Sequence, residues 1–243
     1  QDSNIDVIVL CATAEYAVVS SGSLSSNYNV NTWRSTSPYG TGRATNGFFV
    51  TFDGSNQANI NTYNLKLSLH SGIGLTVDSQ VNGGQGSVFS GVIEYCGTAG
   101  SITSMRGISI DNLYVEENTI GLTFTDVEFS TIKNMKRGTA VKDSLSFIDC
   151  QSIEIYGGQH RGDTMTIDGT CKNFYLHDFD LQGNPPLDSG INTRYGTGIV
   201  TYNAANTPAY SPKNNSTLVN FASNSNFERW STFNPFNWGN VGA

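Results

Sequence analysis

The chain has 243 residues, of which 37% are hydrophobic and 11% aromatic, which is enough to form a sizeable core and excludes a disordered chain. A net charge of −7, with charged residues at only 14%, excludes the basic stripe that nucleic acids and anionic membranes require. The 26 glycines and the abundant Asn, Ser and Thr, together with Val, Ile, Phe and Tyr, predict an all-β chain with short strands and tight turns.

Residues 1–84 are predicted to be an N-terminal β region, and its alternating segments are candidates for first, irregular coils of a repeat. The apolar run at residues 7–14 is far shorter than the about 20 residues of a membrane span. No basic segment precedes it, so we expect neither membrane insertion nor a signal peptide. An opening of QDSNIDVIVL without Met is typical of a processed product or an excised fragment.

The middle of the chain repeats one pattern: a strand of apolar-Ser/Thr-apolar type, a bend with Asp, a second alternating strand and a final Gly. The repeats are residues 122–138, 145–162 and 165–183. Their first strands begin at Leu122, Leu145 and Met165. Second strands begin at Leu113, Ile132, Ile153 and Phe174. The period therefore lies between 19 and 23 residues.

This period predicts a right-handed parallel β-helix, a solenoid whose core spans residues 85–189 and whose ends are irregular β segments. Leucine-rich repeats have a similar length, but their consensus Leu and Asn positions are missing. Propeller blades are about twice as long. A β-helix tolerates the drift in period because its loops vary from coil to coil.

Alternation along the second strand sorts side chains into inward and outward columns. The predicted inward pairs are Leu113/Val115, Ile132/Asn134, Ile153/Ile155 and Phe174/Leu176. One predicted outward column holds Tyr114, Lys133, Glu154 and Tyr175, and the next holds Glu116, Met135, Tyr156 and His177.

The four cysteines are too few and too scattered for a disulfide framework. Cys150 and Cys171 take equivalent positions in neighbouring coils, which a disulfide would tolerate, but a reduced pair of small apolar side chains is the preferred interpretation. The cysteines and the three histidines lack metal-ligand spacing, so we expect no metal site and no cofactor.

Carboxylates on the outward columns are the candidates for chemistry, because a glycosidase needs two of them, about 5–9.5 Å apart. Asp126 and Asp149 recur at bends and are predicted to be turn residues. Glu154 lies mid-strand among aromatic side chains, which suits pyranose rings, although an ordinary solvated face explains it as well. The predicted catalytic residues are Glu116, Glu154, Asp178 and Asp180. The predicted substrate-binding residues are Tyr114, Lys133, Tyr156, His160, Arg161, Tyr175 and His177.

His160 and Arg161 follow a Gly-rich bend and would suit a lyase, with a base that takes the α-proton and a cation that stabilises the enolate. A solvated loop or a contact with another subunit is the preferred interpretation of this segment.

The last part of the chain, residues 190–243, is predicted to form closing strands and a distinct terminal segment. That segment resembles the opening strand of jelly-roll carbohydrate-binding modules. The match consists of Asn226, Phe227, Glu228, Trp230, Pro235 and Trp238.

Coils such as GISIDNLYVEEN (residues 107–118), which run into the NFERW segment, resemble bacteriophage tailspikes and tail fibres of the β-helix type. The resemblance implies a homotrimer in the phage tail, in contact with other virion tail proteins, that binds a bacterial capsule or O-antigen polysaccharide. It also implies depolymerisation of that glycan, by hydrolysis more than by β-elimination, and it assigns no catalytic residues. The alternatives are a non-catalytic receptor-binding fibre and a structural shaft.

Overall fold

The fold is known from a computed structural model of the full chain. The residues it describes are 3–9, 15–33, 44–51, 59–79, 84–137, 144–162, 165–178, 180–183, 186–196 and 200–201.

Twenty-one strands are present within these ranges. In chain order they are β1 (Ser3–Val9), β2 (Tyr16–Ser21), β3 (Ser26–Trp33), β4 (Asn46–Thr51), β5 (Thr62–Ser68), β6 (Ile73–Asp78), β7 (Val88–Glu94), β8 (Thr98–Thr103), β9 (Ser109–Glu116), β10 (Ile120–Thr125), β11 (Glu128–Lys133), β12 (Lys136–Arg137), β13 (Leu145–Ile148), β14 (Gln151–Tyr156), β15 (Gln159–Gly162), β16 (Met165–Ile167), β17 (Tyr175–His177), β18 (Asp180–Gly183), β19 (Leu187–Asp188), β20 (Arg194–Tyr195) and β21 (Val200–Thr201).

From β1 to β11 successive strands alternate between two stacked parallel sheets, and this arrangement is a β-solenoid. Sheet A runs in the order β1-β3-β5-β7-β9-β11-β14-β17-β20, and sheet B runs from β2 to β19 through β4, β6, β8, β10, β13 and β16. From β9 onward a side branch of sheet A is formed by β12, β15, β18 and β21. The predicted all-β parallel solenoid is confirmed, and its right-handed sense stays a prediction from the strong preference of parallel crossovers for that hand.

Both ends of the described chain belong to the same two sheets. The strands β1 to β6, within residues 3–79, pair in register with the strands that follow them. The short strands β19, β20 and β21 continue the sheets at the other end. The jelly-roll-like segment with Asn226, Phe227, Glu228, Trp230, Pro235 and Trp238 lies outside the described residues. None of the described residues belongs to a helix with the length and hydropathy of a membrane span.

The register of sheet B agrees with the predicted repeat, because Leu122 pairs with Leu145 and Leu145 with Met165. In sheet A, Ile132 pairs with Ile155 rather than with Ile153. The predicted alignment at this step is wrong by two residues. A shift of two leaves every apolar side chain on the same face, so alternation alone does not detect it.

The register corrects several predicted columns of sheet A. Lys133 pairs with Tyr156 rather than standing beside Glu154, and Thr131 takes the position beside Glu154. Met135 is buried and Asn134 is exposed, the reverse of the prediction. A left-handed residue explains the reversal, because Asn134, at φ 53°, turns the chain between β11 and β12.

Stacked rings fill the core of the solenoid along its axis. Tyr63 lies between Tyr28 and Phe89, with ring centroids 5.1 and 4.9 Å apart. Phe147 contacts Phe124 at 5.1 Å and Phe174 at 5.1 Å. All these rings are buried, so each coil contributes apolar area that is covered only when its neighbours are in place.

Left-handed residues mark the corners of successive coils. Asp126 and Asp149 have φ values of 53° and 51°, and Asp126 donates its backbone N–H to the carbonyl of Ile148 over 3.0 Å. Their predicted role as turn residues is confirmed. Asp and Asn tolerate this conformation better than most residues because their short polar side chains bond to nearby groups.

Cys150 and Cys171 stack in neighbouring coils, and the backbone N–H of Cys150 lies 3.4 Å from the sulfur of Cys171. Both are buried free thiols, as is Cys96. The preferred interpretation of a reduced pair is therefore confirmed. Cys11 lies outside the described residues.

Candidate functional site

His177 is the centre of a polar cluster on the outward face of sheet A. Its Nε2 lies 3.0 Å from Oε1 of Glu154, one coil below, and its Nδ1 lies 2.7 Å from Oδ2 of Asp178. The His177 side chain is only 19% exposed, whereas those of Glu154 and Asp178 are 43% and 61% exposed. The cluster therefore presents two accessible carboxylates around a largely covered imidazole.

Two tyrosine rings stack on the His177 imidazole. The Tyr156 ring lies 5.2 Å away at an interplanar angle of 12°, and the Tyr175 ring lies 4.5 Å away at 26°. Tyr156 is the register partner of His177 in the coil below. The coil above has Gly196 beside His177, and a Cβ there would come within 2.8 Å of the Tyr175 hydroxyl oxygen. Tyr175 therefore occupies the space that a side chain at position 196 would take, which places the imidazole between the two phenol rings.

The local backbone explains why the carboxylate of Asp178 reaches the imidazole of its own neighbour. Asp178 has φ 51°, and it ends β17 at a left-handed corner. The chain turns there, so the side chain does not alternate to the opposite face as it would in a continued strand. The left-handed conformation of Asp178 thus both turns the chain after β17 and brings its carboxylate to His177.

Each ring nitrogen of His177 has a carboxylate within hydrogen-bonding distance. Which nitrogen donates depends on the tautomer of the ring, because a neutral imidazole has one N–H and one acceptor nitrogen. The Glu154–His177–Asp178 cluster is thus linked through one imidazole, which is held in place by ring stacking.

Lys133 extends the same outward column by one coil below Tyr156. Its ammonium lies 2.9 Å from Oδ2 of Asp111, and this hydrogen bond and charge raise the pKa of Lys133, with a smaller contribution from Tyr156. The amine is thus held as a cation by Asp111. Lys133 was predicted to bind substrate, and it lies at the lower border of the aromatic stack.

Other predicted site residues lie in other columns. Tyr114 pairs with Lys136, and Asp180 pairs with Gln159, so both belong to the column of the side branch beyond the left-handed corner. Glu116 pairs with Glu94 at the far end of β9. The structure therefore brings Glu154, Tyr156, Tyr175, His177 and Asp178 together and leaves Tyr114, Glu116 and Asp180 outside the cluster.

The segment with His160 and Arg161 was expected to be a solvated loop or a contact with another subunit. Its backbone forms the strand β15, in which His160 pairs with Arg137 and Arg161 pairs with Gln182. The predicted loop is therefore wrong, and the contact with another subunit stays a prediction. The side chains of His160, Arg161 and Asp180 lie outside the described part of the structure.

Arg194 and Gly196 adjoin the cluster and were missed by sequence reasoning. Arg194 pairs with Tyr175 and continues the outward column of Glu154. Residues 190–218 were interpreted as irregular because β20 is two residues long, too short for alternation to register. The spacing of about 20 residues from Tyr175 to Arg194 was the available signal.

Chemically, the cluster combines proton donors and acceptors with aromatic surface. Glu154 and His177 are in direct contact at 3.0 Å, a distance over which a proton can pass without a bridging water. Among the described residues, no group of three or more His, Cys, Asp or Glu side chains has an arrangement that would hold a metal ion.

Comparison of the chain with protein-family models, with curated proteins and with solved structures gave no match.

Proposed function

We propose that the outward face of sheet A around His177 binds a bacterial surface polysaccharide and depolymerises it by glycoside hydrolysis. The observation that carries this proposal is the linked Glu154–His177–Asp178 cluster between the rings of Tyr156 and Tyr175. A parallel β-solenoid is compatible with this function because its flat, extended side accommodates a polymer.

Sugar recognition follows from the aromatic and polar groups at this face. The apolar face of a pyranose ring stacks on an exposed aromatic ring, and Tyr175 is 40% exposed. The hydroxyl groups of the sugar then donate hydrogen bonds to the accessible oxygens of Glu154 and Asp178. Because His177 already holds both carboxylates in place, the protein loses little conformational entropy when a glycan binds.

In the hydrolysis we propose, Glu154 is the catalytic acid, and its carboxyl proton moves to the glycosidic oxygen as the bond between that oxygen and the anomeric carbon breaks. Asp178 is the catalytic base, and it takes a proton from the water molecule that attacks the anomeric carbon. The proton then returns from Asp178 to Glu154 through His177, which contacts the two carboxylates at 2.7 and 3.0 Å.

The wider setting proposed for the chain is a homotrimeric phage tailspike that contacts other virion tail proteins and acts at the host surface. This part rests on the resemblance of the sequence to β-helical tailspikes. Light scattering tests it, since a trimer has three times the 26.2 kDa mass of one chain. A mass of one chain for the intact protein would contradict the trimer.

The test of the activity compares Glu154→Gln with wild type on capsular and O-antigen polysaccharides from candidate hosts. Reducing ends are counted, and the ultraviolet absorbance of unsaturated products is followed to separate hydrolysis from elimination. We expect hydrolysis by wild type and a loss of about a hundredfold or more in Glu154→Gln, since an amide is too weak an acid to protonate the glycosidic oxygen. The matched control is Glu128→Gln, whose carboxylate pairs with Arg106 at 2.8 Å outside the cluster.

Equal rates for Glu154→Gln and wild type would remove Glu154 from the site. The second candidate function is a non-catalytic adhesin, and it is favoured by the mutual pairing of His177 with both carboxylates, which also suits a rigid binding surface. Polysaccharides that bind without release of reducing ends would establish the adhesin instead.

A further inference from the structure

Arg194 is an exposed cation at the upper border of the His177 cluster. Its strand β20 pairs with β17, and the backbone N–H of Arg194 donates to the carbonyl of Phe174 over 2.8 Å. The outward column therefore runs from Glu154 through Tyr175 to Arg194. A polymer that lies along this column meets the carboxylate, the ring and the guanidinium in that order.

The two residues below Arg194 in its column, Tyr175 and then Glu154, both turn away from it. Glu154 directs Oε1 to His177, in the adjacent column. Tyr175 leans over Gly196, where its hydroxyl oxygen lies 2.8 Å from the position of a hypothetical Cβ. Within the described part of the chain, Arg194 accordingly forms no ion pair or hydrogen bond through its guanidinium.

The other basic side chains near this face already have acidic partners. Lys133 pairs with Asp111 at 2.9 Å, and His177 lies between Glu154 and Asp178. A negatively charged ligand would thus find its counter-charge at Arg194. The guanidinium presents a planar fork of donors that matches a carboxylate in a bidentate manner.

We propose that Arg194 determines specificity for a polysaccharide that carries carboxylates, such as a polymer of uronic or sialic acids. The Arg194 guanidinium binds the carboxylate of one sugar unit, and Tyr175 stacks on that unit or on the next. This inference rests on the proposed glycan-binding function. A carboxylate is favoured over a phosphate monoester because Glu154 and Asp178 lie in the same cluster and repel a dianion more strongly.

The test measures binding of immobilised wild-type protein and variants to alginate, polygalacturonate, hyaluronate and polysialic acid. Each polymer is also used after its carboxyl groups have been reduced to alcohols, which keeps the backbone and removes the charge. Dextran sulfate serves as the anion without carboxylates. The variants are Arg194→Met, Arg194→Lys and the control Lys172→Met, which removes another exposed cation that takes part in no ion pair with a described residue.

We expect at least one carboxylated polymer to bind wild type about tenfold to a hundredfold more tightly than its reduced form. Arg194→Met should abolish that difference, Arg194→Lys should restore part of it, and Lys172→Met should leave it unchanged. Circular dichroism of each variant should match wild type, because the substituted side chains are exposed.

Several outcomes would overturn the inference. Equal binding of intact and reduced polymers, equal binding of Arg194→Met and wild type, or preference for dextran sulfate each contradicts a carboxylate at Arg194. If host polysaccharides are bound while none of the carboxylated polymers is, the inference is wrong and the proposed function stands. If neither set binds, both are wrong.

Discussion

At the scale of the residue, Tyr63 is a titratable group that the core holds in its neutral form. Its ring is fully buried between Tyr28 and Phe89. Burial raises the pKa of Tyr63 from 10.0 to about 12, and among the described residues its hydroxyl oxygen has no hydrogen-bond partner. The unfolded chain has the lower pKa, so it releases the proton first as pH rises.

We therefore expect alkaline destabilisation that depends on Tyr63. Its contribution is fully present below pH 10 and is lost as pH rises from 10 towards about 12. The full loss corresponds to about 3 kcal/mol. Tyr63→Phe keeps the ring stack and lacks the ionisable hydroxyl, so its urea midpoint should fall less than that of wild type over this range.

The comparison must be made at equal pH, because burial also raises the pKa of Cys96 from 9.0 to about 11, and both proteins keep that thiol. Tyr16→Phe, which substitutes a partly buried ring outside the core, is the matched control. A wild-type protein and Tyr63→Phe that lose stability in parallel would contradict a buried neutral phenol.

Single residues also show how far the sequence predicts the site. Alternation correctly places Glu154, Tyr156 and His177 on the outward face, because it reports only the direction of each Cβ. It does not report which column a side chain leans into. Tyr175 stacks on His177 in the space that a side chain at Gly196 would fill. Gly196 lies two coils above Glu154, so the alternation around Glu154 does not indicate this contact.

At the scale of the element, alternation predicts where strands lie but does not distinguish two registers that differ by two residues. The register between β11 and β14 makes that coil two residues longer than predicted, while both registers bury the same apolar faces. Corners are more informative, since Asp126 and Asp149 stand where the chain needs a left-handed residue. Elements as short as β20 carry too few residues for either signal.

Two glycines with positive φ at the corners of coils lead to a prediction about stability. Gly107, at φ 60°, has open space where a Cβ would be, with its nearest neighbour at 3.8 Å. Gly158, at φ 90°, would bring a Cβ within 2.1 Å of the carbonyl oxygen of Met135. We expect Gly107→Ala to cost about 1 kcal/mol from backbone conformation alone, and Gly158→Ala to cost at least about 3 kcal/mol because the neighbouring coil must shift.

Urea unfolding of the two variants gives both free energies, and the pair forms its own control since the substitution is the same. Equal costs would show that the contact between Gly158 and Met135 in the preceding coil does not constrain the backbone. A cost for Gly107→Ala as large as that expected for Gly158→Ala would contradict the open corner.

At the scale of the whole molecule, each coil contacts only the coils before and after it, so the fold is quasi-one-dimensional. This property was predictable from the repeat, because a coil of about 20 residues cannot bury its apolar face alone. The repeat does not predict how strongly neighbouring coils stabilise one another. Substitutions of the stacked rings in the core measure this interaction energy.

We expect Phe124 and Phe147 to be energetically coupled and Phe89 and Phe147 to be independent. The first two rings stack at 5.1 Å with an interplanar angle of 16°. Phe89 lies in β7, which the coil of β9 and β10 separates from β13 with Phe147. Replacement of each by Leu should cost about 1–2 kcal/mol without loss of the fold. A double-mutant cycle on Phe124 and Phe147 should then give an interaction energy of about 0.5–1.5 kcal/mol, and the cycle on Phe89 and Phe147 should give a value near zero.

Equilibrium unfolding followed by both far-ultraviolet circular dichroism and tyrosine fluorescence checks this, because coincident transitions are needed for the cycle to be valid. Coupling between Phe89 and Phe147 as strong as that between the stacked pair would mean that strain passes through whole coils, and the nearest-neighbour description would then be wrong.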